Sequence, residues 1–429
     1  MSIRELLAML LLACGGVAAA AELAQGTVKH LGVATCASSV CHGKLTAQSG
    51  RDVALNEYQI WSHDDYHSRA YRDLINPQSQ AIAAKLGLAS AATSKLCLDC
   101  HADNVPATLR GPKFQLTDGV QCEACHGGAE KWIETHAQKG VPHSDNVARG
   151  MYPSEQPLRR AELCLSCHMG TRDKFATHTI MGAGHPRLRF ELQVFTFNQP
   201  AHVQIDADYV QRKGRIDNMN LWVTGQIENA RRYLELLQSR LVLPDSFLPE
   251  FALYDCFSCH HPIDRDKQRW THVRAGAGVQ PGTLRLQKYH LVMLQAITEV
   301  LAPDALAQFV TATDALVQAG QANVASAQAA AQKLHAWIDS HDDWTRRQYS
   351  RDDIARIRRT VLRYAAEDKT SDFGAAEQVV MAVDSLSYAA EDHDRHKPAL
   401  DSLYNAVKSA SGFDPTQFAG VARNVQSQF

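Results

Sequence analysis

The sequence predicts a mainly α protein in two parts: a loop-rich segment studded with cysteine–histidine pairs, then an α-helical bundle. Three observations carry this. Ten of the 11 cysteines fall in pairs that end in histidine, all before residue 261. No period-2 apolar run between Glu22 and Arg274 is long enough for a sheet. After RAGAGVQPG, Arg274 to Gly282, the cysteines stop, alanine becomes abundant and apolar residues recur at helical spacing.

Taken in order, the N-terminus reads as an export signal. Arg4 precedes an apolar run from Leu6, and Ala19-Ala20-Ala21 offers a small-residue cleavage site before Glu22. Residues 1–21 are therefore expected to be a signal peptide and the mature chain to be periplasmic. Leu11-Leu12-Ala13-Cys14 is a second way to read the same stretch, as a lipoprotein signal that would anchor the chain through Cys14. No later run is uncharged and apolar over a membrane-spanning length, so no integral membrane protein is expected. With 44 Lys and Arg against 46 Asp and Glu, nothing in the charge balance argues for a nucleic-acid or anionic-surface partner, and none is expected.

The cysteine pairs are Cys36 and Cys41 with His42, Cys97 and Cys100 with His101, Cys122 and Cys125 with His126, Cys164 and Cys167 with His168, and Cys256 and Cys259 with His260. C-x-x-C-H is the spacing of covalent haem c attachment. Two thiols add to the two vinyl groups, and the next residue places its imidazole under the iron as the proximal ligand. A disulfide framework has no use for a histidine after every second cysteine. A zinc knuckle requires a second matching pair and no fixed Cys-His step. The first pair, CASSVCHG, carries two extra residues. Cys36 and Cys41 have only each other to pair with, and a bulged loop can still present both thiols; a local disulfide is the alternative. The expectation is five covalently attached haems c. Eight methionines against 20 histidines favour low-potential bis-histidine ligation over His/Met.

Three stretches together resemble the tetrahaem cytochrome c-554 family: the first motif with EYQIWSHDDYHSRAYRDL, Glu57 to Leu74; LCLDCHA, Leu96 to Ala102; and DGVQCEACHGGAEKWIETH, Asp118 to His136. CLSCH at Cys164 completes the four-haem order, so the resemblance covers about residues 30–170. It implies His136 as the distal ligand of the first haem and His67 of the third. It also implies that the second haem, on His101, is five-coordinate. Trp61 to Tyr71 reads as one helix that puts His63 on the same stripe as His67, as a competitor, and His136 reads as ending a short helix after Gly128.

This sequence departs from the family in the stretched first motif, the fifth motif at Cys256 and the long C-terminal region. His178 and His185, in THTIMGAGHP, are the expected ligands for the fourth and fifth haems; the Gly-rich turn would let backbone approach a porphyrin. His202 and His261 are reserves. A long helix is expected from about Asp206 to Leu241, its apolar stripe serving packing. The domains are thus a pentahaem cytochrome c domain over 22–275 and an α-helical domain of five or six helices over 283–429, with breaks at Gly320, Ser340-His341 and Ser371-Asp372. That bundle could cover the haem domain or make a homo-oligomer, and His393 or His396 could reach an iron.

These readings point to a periplasmic electron carrier working between redox partner proteins, such as a quinol dehydrogenase or another cytochrome, and a terminal acceptor. One alternative is a multihaem oxidoreductase with an open iron acting on a small nitrogen or sulfur compound, with Tyr66, Arg69 and Tyr71 nearby. The other is a subunit of a larger complex or haem filament, in which His30 would cap a neighbour's haem.

Overall fold

The computed structural model describes residues 27–48, 54–243, 246–260, 283–367 and 372–429. The expected signal peptide, Cys14, His261, His272 and the 274–282 linker lie outside the described residues. Among the described residues the chain is helical, with two isolated β-bridges, His30–Arg110 and Tyr254–Leu286, and no sheet. No described helix is long and apolar enough to cross a membrane.

The chain forms two compact units. The first comprises the described residues up to Arg159 together with Gln199–Arg215; the second comprises Arg160–Asn198 and Ile216–Phe429. The expected division near 275–283 falls on residues that are not described.

In the first unit the helices are short because caps and turns cut them. The expected helix over Trp61–Tyr71 is in fact three pieces: an α-helix Glu57–His63, a 3-10 turn Tyr66–Arg69 and an α-helix Ala70–Ile75. Asp65 causes the break, since its carboxylate accepts from both the backbone N–H and the ring Nδ1 of His67. His136 closes a run of turns, in which Ile133 N–H donates to Ala129 O and His136 N–H to Trp132 O. The apolar core of this unit is one small cluster, Leu74, Ala83, Ala91, Ala92, Leu98 and Ala102. Four alanines in six residues bury little area, and Val28, Val33, Trp132 and Tyr209 are larger apolar side chains buried outside this cluster.

The second unit has a large core built around the helix Asn218–Arg240. Met219, Trp222, Val223, Ile227, Tyr233, Leu234 and Leu237 are fully buried on it. The expected single helix from Asp206 to Leu241 is therefore two, Ala207–Lys213 and Asn218–Arg240. Gly214, at φ 82°, closes the first through the left-handed region, and Asp217 caps the second by accepting from Asn220 N–H. Tyr289–Leu301, Val324–Asp339 and Phe373–Ala389 pack against the central helix.

After residue 283 there are seven α-helices among the described residues rather than five or six. Gly320 lies inside the helix Pro303–Ala322, and the break comes at Asn323, which caps the next helix through Ser326 N–H. Ser340 does end a helix, and Asp372 caps Phe373–Ala389. Ser350 and Asp353 form a reciprocal capping box at Arg351–Ala366.

Candidate haem centres

Each motif with standard spacing places its cysteines and histidine at a helix or turn end. Lys95–His101, Cys122–His126 and Pro157–His168 are α-helices that stop at the histidine, and Cys256–Ser258 is a 3-10 turn. Ending the helix there aims the ring off its end, clear of the next turn.

None of the ten motif cysteines is in a disulfide. Cys97 and Cys100 stand one turn apart on the first of these helices, both half-buried, and Cys122 and Cys125 repeat the arrangement on the second. Cys164 and Cys167 are likewise half-buried. The fifth motif differs, because Cys256 and Cys259 are both exposed and Cys259 lies just beyond the end of its turn, where Cys259 N–H bonds Cys256 O at 3.3 Å. A second thiol one helical turn after the first, as at Cys100, Cys125 and Cys167, sits on the same side of the helix as its partner.

The stretched first motif folds as a bulge. The helix Val33–Cys36 ends at Cys36, Cys41 N–H bonds back to Ser38 O at 2.8 Å, and His42 N–H reaches Cys36 O at 3.1 Å. The extra residues loop outward, leaving Val40 79% exposed. The Cys36 and Cys122 thiols interact, so the first and third motifs are immediate neighbours, and the interaction lowers the Cys36 pKa and raises that of Cys122. Glu123, inside the third motif, ties the two together by accepting from the backbone N–H of Leu31, Gly32 and Ala129 at 2.6–2.7 Å.

The structure brings three pairs of histidines together, each pair containing one motif histidine. His42 and His136 stack at 6.2 Å between ring centres, 16° from parallel. His126 and His202 lie 6.3 Å apart at 88°. His260 and His178 lie 6.2 Å apart at 37°. Two imidazoles on opposite faces of one iron, with metal–nitrogen bonds of about 2 Å and roughly 1 Å from nitrogen to ring centre, stand about 6 Å apart. The residues present therefore fit bis-histidine haem c.

Ring orientation is set by second partners. His42 Nδ1 faces Glu57 Oε2 at 3.0 Å, His101 Nδ1 bonds the Ala70 carbonyl at 3.0 Å, and His136 Nδ1 bonds the Ile133 carbonyl at 2.5 Å. In each case the far nitrogen, Nε2, is the one oriented for a metal. The hydrogen bond to Glu57 raises the His42 pKa against the effect of burial. Burial lowers His126 to about 3, helped by His202, Lys213 and His42, so its ring is neutral and fit to coordinate.

The placement of the other sequence candidates differs from expectation in several respects. The ring beside His126 is that of His202, while His67 bonds Asp65 through Nδ1 at 2.8 Å, the arrangement seen at His42. His63 is exposed. His185 bonds the Pro186 carbonyl at 2.7 Å. Gly184, at φ 124°, serves to end the helix His178–Ala183, while a side chain at Gly182 would meet nothing within 4 Å. His168 stacks on Phe190 at 4.8 Å. His393 stacks on Tyr388 at 3.9 Å and pairs with Asp384, and His396 stacks on Phe429 at 4.0 Å; both are engaged within the bundle. His30 is buried against Asp103 at 2.7 Å, so it does not present a ring to a neighbouring molecule. Tyr66 is 80% exposed with Arg69 over its ring, and Tyr71 packs on the alanine-rich core, so these side chains do not form a polar pocket with one another.

Comparison with known proteins bears on the first unit. Neither the search of curated proteins nor that of solved structures gives a match. The family model for cytochrome c554 and c-prime matches residues 35–127. That stretch holds the first three motifs, with Cys36, Cys41, Cys97, Cys100, Cys122 and Cys125; the motifs of Cys164 and Cys167 and of Cys256 and Cys259 lie beyond it. Spacing, ring geometry and that match agree, and they make this a cytochrome c-554-like multihaem protein, a c-type cytochrome of electron transfer.

Proposed function

We propose that the protein is an exported, periplasmic pentahaem cytochrome that passes electrons between a membrane or soluble donor and a terminal acceptor. Its haems would be carried on Cys36 and Cys41, Cys97 and Cys100, Cys122 and Cys125, Cys164 and Cys167, and Cys256 and Cys259. The distal ligands would be His136 for the first, His202 for the third and His178 for the fifth. The single observation that carries this reading is the spacing of the three histidine pairs, 6.2–6.3 Å between ring centres. Bound haem supplies one-electron iron chemistry.

The chain's own part is to fix ligands and crowd the sites together. The Cys36–Cys122 contact supports close approach of the first and third sites, which favours rapid electron exchange between them. Glu57 and the Ala70 and Ile133 carbonyls hold the ligand rings in one tautomer. Arg187 and Arg189, both beside Glu377, line the cleft that also holds His168 and Cys256, and offer cations to propionates there.

Intact mass and spin state test the proposal. The expected result is a mass increase of five haems, with low-spin spectra that carbon monoxide does not alter once the protein is reduced. A mass increase of four, with Cys36 and Cys41 unmodified, overturns the stretched site. A high-spin iron that binds carbon monoxide, localised to His101, moves the function to an oxidoreductase acting on a small molecule.

A further inference from the structure

In the second unit the helices Tyr289–Leu301, Arg351–Ala366 and Pro415–Gln426 line a cavity of about 260 Å³, and no residue of a cysteine motif takes part in it. Arg356, Arg359 and Arg363 line it at the i, i+3, i+7 spacing of one helix stripe. Arg363 is matched, since it pairs with Glu299 and Glu367. Glu299, the carboxylate in the lining, is fully used: one oxygen takes Arg363 and the other accepts from the Tyr364 hydroxyl at 2.7 Å. Arg356 and Arg359 make no hydrogen bond or ion pair among the described residues. Asp353, whose carboxyl the Arg356 charge helps to hold down, is taken by Ser350 in the helix cap. Two neutral groups complete the lining. Thr360 is 8% exposed, yet its hydroxyl has no partner among the described residues and is not sealed from the cavity, whereas buried Thr298 bonds back to Leu294 O at 2.8 Å. The Gln426 side-chain amide, on the last helix, is likewise without a partner. A hydroxyl on so buried a residue calls for a partner within the cavity.

We propose that this cavity binds a phosphate group, free or carried by a small phosphomonoester. Two unmatched guanidinium groups suit a dianion, and the planar donor fork of arginine matches the spacing of phosphate oxygens. The Thr360 hydroxyl and the Gln426 amide supply further donors for the remaining oxygens. Like charges on one helix stripe repel one another, and a bound dianion removes that repulsion. The site gives the cysteine-free helices a ligand of their own, and none of its residues attaches or ligates a haem in the reading above.

The test is calorimetric titration of the holoprotein with sodium phosphate at about pH 8, where phosphate is a dianion, with ionic strength held constant by sodium chloride. The expected result is one saturable site per chain, and a Tm that rises with phosphate and not with chloride. The double variant Arg356→Gln, Arg359→Gln is expected to weaken binding by about tenfold or more. Thr360→Val, which keeps the shape and removes the hydroxyl, is expected to weaken it by a smaller factor. Arg351→Gln with Arg395→Gln removes the same charge from the same unit outside the cavity, and is expected to leave binding unchanged. Glycerol phosphate run beside inorganic phosphate names the source: tighter binding of the ester supports a phosphomonoester site, and tighter binding of the free ion supports a phosphate site. Absence of saturable heat with both probes overturns the proposal. Equal loss of binding in the two double variants also overturns it, because the effect would then be one of net charge and not of this cavity.

Discussion

The imidazoles of His42 and His136 stack in parallel, 16° between their planes and 6.2 Å between their centres, in a unit whose apolar cluster is six residues, four of them alanine. Trp132 closes the stack edge-on against His136 at 5.2 Å. Two imidazoles that both coordinated one iron would stand about this far apart. His136→Ala is therefore expected to leave the haem count unchanged and to convert one haem to a high-spin form that binds carbon monoxide. A low-spin spectrum identical to the wild type would remove His136 from the iron.

The third site separates two candidates. His202 lies 6.3 Å from His126, whereas His67 has its Nδ1 on Asp65, itself bonded by Gln199. Those hydrogen bonds hold the Asp65 carboxyl at about 2 despite burial, and Asp65 fixes the His67 ring through Nδ1 as Glu57 fixes His42, so the choice between the two rests on the approach of His202 to His126. His202→Ala is expected to open one haem, and His67→Ala to leave the third haem low-spin. EPR of the two variants decides; the reverse result would restore His67 to the iron.

What could be read in the sequence was local. Two cysteines and a histidine fit within five residues, so attachment needs no tertiary knowledge, and the mainly helical character followed from the absence of alternation. The partner of His126 is different in kind: His202 reaches it only because Gln199–Arg215 folds back into the first unit. Two misread helices did carry signals. Gly214 and Asp217 are ordinary stop and start residues, and Asp65 is an ordinary cap, yet an uninterrupted apolar stripe outweighed them.

Glu57 would set the electronic character of a haem held by His42. Its Oε2 lies 3.0 Å from His42 Nδ1 while Oε1 accepts from Leu55 N–H. Although burial opposes its charge, the bond to His42 holds Glu57 below the usual carboxylate range. A carboxylate there would make His42 a stronger donor to a bound iron and favour its ferric state. Glu57→Gln should raise the potential of one haem, by about 59 mV for each tenfold change in the ferric–ferrous preference. Potentiometry that finds all potentials unmoved would show that the contact does not reach the iron.

Gly43 is what allows the stretched motif to close. A Cβ there would lie 1.9 Å from the Ala37 carbonyl oxygen, backbone that cannot step aside without undoing the bulge. Gly43→Ala is expected to lose the haem on Cys36 and Cys41 while keeping the others, seen as one haem fewer in the intact mass. Full haem loading with a wild-type spectrum would mean that the bulge is not required for attachment.

Glu191 makes stability depend on pH in the second unit. It is 1% exposed, accepts from the backbone N–H of Gln193 and Val194, and receives the Ser385 hydroxyl at 2.9 Å. Burial pushes its carboxyl up from 4.5 to about 7. The folded chain thus keeps a proton that the unfolded chain has released, so stability is full below pH 4.5 and falls as pH rises toward and through 7. Glu191→Gln keeps an acceptor for the helix and has no proton to lose. Denaturant unfolding at acid and alkaline pH should show the variant gaining on the wild type as pH rises, by a difference on the order of 3 kcal/mol above the folded pKa. Parallel pH profiles for the two proteins would mean that the carboxyl is already ionised, and solvated, in the folded state.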